Sequence, residues 1–169
     1  LVTGRQAIIT APAAQTAKLL ADIYPELAAT AGLARYDPCW TIMLGLEGDH
    51  GLGTVPLRDE AAGIALGVPE FTRSNQQSSL DAPALTIQAT GAWSQQHLQD
   101  DPQMVIKSLC QIWQNLGGKP LGKIITSAAH RWLYAKVTTA APSAAPRLSH
   151  DGKLAIAGDW LGGLRVEQA

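Results

Sequence analysis

The sequence predicts an α+β fold, and three observations carry that prediction. Short runs rich in β-branched and aromatic residues are interleaved with helical stretches, yet the two kinds do not alternate strictly as strand, helix, strand. One segment, 102–116, has a strongly amphipathic helical pattern. Of the 169 residues, 46% are apolar, which is enough for one well-filled core or for a core and part of a second.

The first part of the chain predicts a strand, two helices and a second strand. The apolar run 6–10 predicts a strand, and Pro12 suits the first turn of a helix over 12–22 because its missing N–H has no partner there anyway. A proline interrupts that helix, so a second short helix is expected over 26–31. The β-favouring residues that follow predict a long strand over 39–46.

The middle of the chain contains the most clearly marked helix. Residues 84–92 first alternate apolar and polar positions, as a half-buried strand does. Asp101 and Pro102 then form a strong helix start, with an N-cap carboxylate followed by proline at the first helical position. The helix over 102–116 carries Trp113 on its apolar stripe, so we expect that side chain to be core.

The last third of the chain predicts two further strands. Residues 124–137 form a long β-favouring run, and 154–157 (LAIA) predict a short buried strand that leads into a terminal helix. We expect the runs at 36–46, 84–92 and 124–137 to lie in one mostly antiparallel sheet that the amphipathic helix covers.

The composition excludes several classes of partner. Charged residues make up 16% of the chain and the formal net charge is -1, so the basic excess that nucleic-acid binding needs is absent. Cys39 and Cys110 are the only thiols and have no CxxC or Cys/His pattern around them, which gives no support for zinc or a disulfide framework. No apolar run is long enough to span a bilayer, and we expect a cytoplasmic protein. Both ends of the sequence resemble cuts through a longer protein.

Several motif-like stretches favour plain structural explanations. Residues 117–123 (GGKPLGK) nearly fit a phosphate loop, but Ile124 stands where a metal-binding Ser or Thr belongs and a helix precedes the loop instead of a strand. The four histidines lie in separate segments, and neither Ser94 nor Ser127 has a GxSxG setting. We therefore nominate no catalytic side chain and no metal site.

The strand 154–157 ends in the most informative segment of the chain. It meets Gly158 and Asp159, and after the glycines at 162 and 163 a helix is predicted to begin. A strand end, a glycine, a carboxylate and a helix N-terminus form a site for a polyhydroxylated, anionic or electron-rich ligand. The carboxylate would accept hydrogen bonds from ligand hydroxyls. The alternative is that Asp159 only caps the helix.

Two stretches near the end of the chain form a recognisable pattern, AHRWLYAKV at 129–137 and LAIAGDWLGGLRVEQA at 154–169. They resemble the renalase-like family of flavin-dependent amine oxidases, and the likeness extends back through IITAPAAQTAKLL at 8–20. The resemblance implies a substrate part built on a mostly antiparallel sheet and a Rossmann-type part that binds FAD. It divides this chain into a junction strand at 1–10, a substrate-binding domain at 11–150, and the terminal strand and helix of the FAD-binding domain at 151–169.

The resemblance also assigns roles to individual residues. Asp159 would bind the ribityl hydroxyls of FAD, while Gly158 and Gly163 would allow close approach. Arg165 and Val166 would face the edge of the flavin ring.

Two residues of the preceding long strand would line the substrate cavity. They are His130 and Trp132. For Trp132, core packing is the alternative explanation.

The family's GxGxxG fingerprint does not occur in these 169 residues, since Gly51 and Gly53 are followed by Pro56 and no strand leads into them. We therefore expect FAD to be held only by a longer protein with a further N-terminal segment. That protein is expected to move a hydride from an amine or dihydropyridine-like small molecule to flavin and then to O2. The alternative is a non-catalytic binding or interaction module that has lost the dinucleotide-binding half.

Overall fold

The computed structural model describes residues 4–47, 56–69, 83–117 and 121–162. In chain order the elements are β1 (Ala7–Ile9), α1 (Ala13–Leu20), α2 (Pro25–Ala31), β2 (Arg35–Glu47), β3 (Leu57–Asp59), β4 (Ile64–Pro69), β5 (Ala84–Ala89), α3 (Gly91–Gln96), α4 (Pro102–Gly117), β6 (Lys123–Thr139) and β7 (Leu154–Ile156). The chain divides into two compact units. Unit 1 comprises residues 1–37 and 134–169, and unit 2 comprises 38–133.

A five-stranded sheet is built in the order β3-β4-β5-β2-β6. The pairs β3–β4, β4–β5 and β2–β5 are all antiparallel. In the β2–β5 ladder, Ile42 lies opposite Ile87 and Leu44 lies opposite Leu85, so alternate apolar side chains of both strands share one face. Those four side chains are buried, and that face forms part of the core of unit 2.

Helix α4 supplies the other half of this core. Val105 and Leu109 are 1% and 0% exposed and belong to the same apolar cluster as the buried strand residues. Burying each such side chain stabilises the fold by roughly 1.5 to 3 kcal/mol. The helix begins as predicted, because the Asp101 carboxylate accepts a hydrogen bond from the Gln103 N–H at 2.8 Å.

Unit 1 has a separate core around a parallel pair of short strands. β1 and β7 pair in register, with Ile9 opposite Ile156. The buried side chains that pack with them come from α1, α2, the end of β6 and the segment after β7; they include Leu20, Leu27, Val137 and Trp160.

The predicted fold class is confirmed, since the chain combines helices with a mostly antiparallel five-stranded sheet. The prediction that the three long β-favouring runs share one sheet with α4 packed in its core is also confirmed. Within the described ranges, no helix is both long enough and apolar enough to cross a bilayer. The functional domain boundaries inferred from the family resemblance remain a prediction.

Two strand boundaries differ from the prediction. β2 begins at Arg35 instead of 39, and Pro38 lies outside its ladder with β5, which starts at Thr41. β5 ends at Ala89 instead of 92, because the Thr90 hydroxyl accepts the Trp93 N–H at 3.2 Å and thereby caps α3.

Candidate functional site

The parallel strands of unit 1 bring two distant segments to one edge. Because β1 and β7 run in the same direction, the residues after Ile9 and those after Ile156 lie side by side. The Ala157 N–H donates to the Ile9 carbonyl at 2.9 Å, which extends the pairing beyond the strand. Ligands of α/β proteins commonly bind outside the carboxyl ends of parallel strands. The Gly158–Asp159 segment leaves β7 at this end.

Trp160 anchors that segment to the turn before α1. Its side chain is 1% exposed, and its indole Nε1 donates to the carbonyl of Ala11 at 3.3 Å. Its own carbonyl accepts the Ala141 N–H at 2.7 Å. A buried indole N–H needs such a partner, so the tryptophan side chain fixes the position of the segment on both sides of Asp159.

Gly158 is required by this anchoring. Its φ is +154°, and an added Cβ would lie 2.5 Å from the indole Nε1 of Trp160. A side chain at 158 would therefore meet the tryptophan and strain the backbone. Packing against Trp160 therefore explains why residue 158 is a glycine. The close approach of a ligand at Gly158 stays a prediction.

Asp159 is half-buried in a turn at this edge. Among the residues that the structure describes, its carboxylate makes no hydrogen bond and no ion pair. A capping role would need the carboxylate to accept a backbone N–H two or three residues later. The Leu161 N–H instead donates to the Gly158 carbonyl at 3.1 Å. Within residues 4–162, as far as the structure describes them, the carboxylate is therefore available as an acceptor, while capping of a helix after residue 162 lies outside the described residues.

Tyr36, which the sequence did not single out, lies at the same edge. Its hydroxyl accepts the N–H of Ala13, the first residue of α1, at 3.0 Å. Burial raises the pKa of Tyr36 above its ordinary value of 10.0; the hydrogen bond from Ala13 lowers it, and the negative charge of Asp159 raises it. The turn before α1 bonds to both segments, since Ala13 donates to the Tyr36 hydroxyl and Ala11 accepts from Trp160, the residue after Asp159. Only the tertiary pairing of β1 with β7 would have pointed to Tyr36.

The remaining predicted cofactor-binding residues, Gly163, Arg165 and Val166, lie outside the described residues. The predicted substrate-binding residues lie in unit 2, whereas Gly158 and Asp159 lie in unit 1.

His130 and Trp132 contact one another on β6. Their ring centroids are 4.2 Å apart in an edge-to-face arrangement, and Trp132 is 54% exposed. The exposure of Trp132 argues against the core-packing alternative within the described part of the chain. His130 also lines a surface pocket of about 640 Å³ beside α4, and Trp132 is not part of its lining.

The carboxylates of that pocket are already engaged. Asp100 lies 2.7 Å from Nδ1 of His97, and Asp101 caps α4. The Arg131 guanidinium, which also lines the pocket, lies 5.8 Å from the centroid of the Trp40 ring and donates to the Leu98 carbonyl. The carboxylates of the pocket and its guanidinium are therefore engaged, and they give no independent reason to expect a cationic ligand.

Known structures share this fold. A candidate protoporphyrinogen oxidase from Exiguobacterium sp. 255-15 superposes with a TM-score of 0.69 at 14% identity over 96% of this chain. An oxidoreductase from Methanosarcina mazei gives 0.55 at 15% identity over 98%, and reduced UDP-galactopyranose mutase gives 0.51 at 13% over 79%. No family model matches the chain. The chain has the fold of a part of these proteins, two of which are described as an oxidase or an oxidoreductase.

The likeness is partial in length. The chain covers 38% of the Exiguobacterium protein, 40% of the Methanosarcina protein and 30% of the mutase. At 13 to 15% identity these matches establish the fold alone.

Proposed function

We propose that this chain is part of an FAD-dependent oxidoreductase of the renalase-like amine-oxidase type. The observation that carries the proposal is the available carboxylate of Asp159, held where β7 ends and within a segment that resembles the family's GDW motif. The proposed overall reaction takes a hydride from an amine or dihydropyridine-like substrate and passes electrons to O2. The fold likeness to an oxidase and an oxidoreductase supports the general class.

The groups at this edge suit the hydroxyl-rich part of FAD. The Asp159 carboxylate is an acceptor without a partner among the described residues, and ribityl hydroxyls are donors that a carboxylate binds through charge-assisted hydrogen bonds. Trp160 and Gly158 hold the segment on both sides of this carboxylate through buried contacts. A segment held in this way loses little backbone freedom when a ligand binds.

In this proposal the protein side chains bind and orient, and bound FAD would supply the hydride-accepting chemistry. Asp159 binds the cofactor, and Gly163, Arg165 and Val166 extend the same site in the segment that follows. His130 and Trp132 form part of the wall against which the small-molecule substrate lies. An N-terminal segment with a GxGxxG fingerprint completes the FAD site and is the partner that this chain needs.

Replacing Asp159 tests the proposal. In the full-length gene product, Asp159→Ala removes a charge-assisted hydrogen bond worth about 1.5 to 3 kcal/mol. That loss corresponds to a roughly 10- to 150-fold weaker affinity for FAD. Titration of the apo-protein with FAD, followed by flavin fluorescence, measures the change.

Asp151 offers a matched control at the opposite end of β7. Its carboxylate accepts from the Ser149 hydroxyl at 2.7 Å and from the Lys153 N–H at 3.1 Å, so it has a structural role. Asp151→Asn should lower the free energy of unfolding and leave FAD affinity unchanged.

Equal FAD binding by the wild type and by Asp159→Ala would mean that Asp159 has only a structural role. A full-length product that binds no FAD would favour the non-catalytic module.

A further inference from the structure

Tyr36 has a rigidly held ring at the carboxyl-end edge of unit 1. The side chain is half-buried against the core of that unit, and the ring of Tyr134 packs edge-on against it with centroids 5.5 Å apart at 69°. Edge-to-face aromatic pairs of this kind are favourable. The ring contact and the hydrogen bond from Ala13 together orient the hydroxyl.

The hydroxyl of Tyr36 has an unused donor. A phenol carries one O–H donor and acceptor lone pairs. A lone pair receives the N–H of Ala13 at 3.0 Å, which satisfies one of the orphan N–H groups at the start of α1. Among the described residues no acceptor takes the O–H proton. Accepting the Ala13 N–H also polarises the hydroxyl and strengthens it as a donor.

Among the described residues, the Asp159 carboxylate lacks a hydrogen-bond donor, whereas the Tyr36 hydroxyl lacks an acceptor. The carboxylate of Asp159 is an acceptor that receives no hydrogen bond from the described residues. Its segment reaches the same turn as the Tyr36 hydroxyl, because Trp160 donates to the Ala11 carbonyl and Ala13 donates to Tyr36. No hydrogen bond joins the two side chains. In the described part of unit 1, one edge thus presents a donor and an acceptor that have no partners there. This pair is complementary to a ligand that carries hydroxyl groups next to carbonyl or imine acceptors.

We propose that Tyr36 is a second ligand-binding residue of this site, whose O–H donates a hydrogen bond to the cofactor whose hydroxyls Asp159 binds. This inference rests on the proposed function and adds to it a residue outside the GDW segment. Tyr36 would orient the cofactor from the side of α1, while Asp159 binds it from the side of β7.

The test compares Tyr36→Phe with Tyr24→Phe in the full-length protein. Tyr24 is the matched control, because it is also a half-buried tyrosine of unit 1 but its hydroxyl donates to Asp151 at 3.2 Å, at the amino end of β7. FAD affinity is measured by titration of the apo-proteins below their melting temperatures. Loss of one neutral hydrogen bond should weaken FAD binding about 3- to 10-fold in Tyr36→Phe. Tyr24→Phe should bind as the wild type does.

Two further measurements separate a ligand contact from a structural role. The visible absorption spectrum of bound flavin should change in Tyr36→Phe and stay the same in Tyr24→Phe. If Tyr36→Phe lowers only the melting temperature of the apo-protein and leaves the affinity and spectrum unchanged, Tyr36 merely supports α1 and the inference is wrong.

A second variant serves in case Tyr36→Phe does not fold. Incorporation of 3-fluorotyrosine at 36 preserves the ring and hydroxyl but makes the O–H a stronger donor, so FAD should bind more tightly at pH 7. The same replacement at Tyr24 should have no effect, and an unchanged affinity after replacement of Tyr36 would contradict the inference.

Normal FAD binding that depends on Asp159 but not on Tyr36 would overturn this inference alone. A wild type without FAD affinity would overturn the proposed function as well.

Discussion

At the residue scale, Gly158 and Trp160 show how a short segment is constrained before any ligand is considered. The Trp160 indole occupies the space that a Cβ at 158 would need, and its N–H spans to the Ala11 carbonyl. A glycine in a segment that resembles a ligand-binding motif can thus be required by packing against a neighbouring side chain. Packing and the close approach of a ligand predict different consequences when Gly158 is replaced.

Gly158→Ala is expected to destabilise the protein by about 2 to 4 kcal/mol, through backbone strain and overlap with the indole. Gly152 provides the control, since its φ is also positive, at +69°, but nothing lies within 4 Å of an added Cβ. Gly152→Ala should cost only about 1 to 2 kcal/mol. Urea unfolding of both variants measures the difference. Equal losses would mean that the contact with Trp160 has no energetic weight.

At the scale of elements, α4 and the sheet form a core whose fit depends on one glycine. Trp113 is 8% exposed, and an added Cβ at Gly67 of β4 would lie 2.1 Å from its ring. The strand therefore provides a flat surface on which the large indole packs. This agrees with the prediction, made from the helical stripe alone, that Trp113 belongs to the core.

Trp113→Ala should accordingly cost about 3 to 5 kcal/mol, because it removes a large buried side chain and leaves a cavity. Loss on this scale is a large part of the stability of a typical domain, about 5 to 15 kcal/mol. Met104 lies on the same helix and is 57% exposed, so Met104→Ala should change stability by less than about 0.5 kcal/mol. Thermal melts of the two variants test this contrast. An unchanged melting temperature for Trp113→Ala would contradict the burial.

At the scale of the whole molecule, the chain consists of two units that each have a core. The core of unit 2 comes from the sheet and α4, and that of unit 1 from segments at both ends of the chain. The proposed cofactor site lies in unit 1 and is built from residues that surround Asp159. The chain covers only 30 to 40% of the length of the three structures that share its fold.

This partial coverage leads to a prediction about colour. The 169-residue chain contains the carboxylate that would bind the ribityl group but no GxGxxG segment for the pyrophosphate. We expect the isolated chain to purify colourless and the full-length gene product to purify yellow. Visible absorbance and release of FAD on denaturation measure both. A yellow preparation of the isolated chain would show that the glycine fingerprint is dispensable.

The sequence by itself determined the elements with strong local signals. Asp101 and the apolar stripe after it marked α4, β-favouring runs marked the long strands, and the glycine and carboxylate after LAIA marked Asp159 as a candidate. These signals act between residues a few positions apart, through capping, backbone preference and periodicity. They required no knowledge of the neighbours in space.

Only the tertiary structure decided which distant segments meet. The parallel pairing of β1 with β7 joins Trp160 to Ala11 across 149 positions, and the turn into α1 then places Ala13 against the Tyr36 hydroxyl. No local pattern specifies a strand's partner, because that choice depends on the burial of side chains contributed by the whole unit. The proposed membership of Tyr36 in the site, and the packing reason for Gly158, follow from that choice alone.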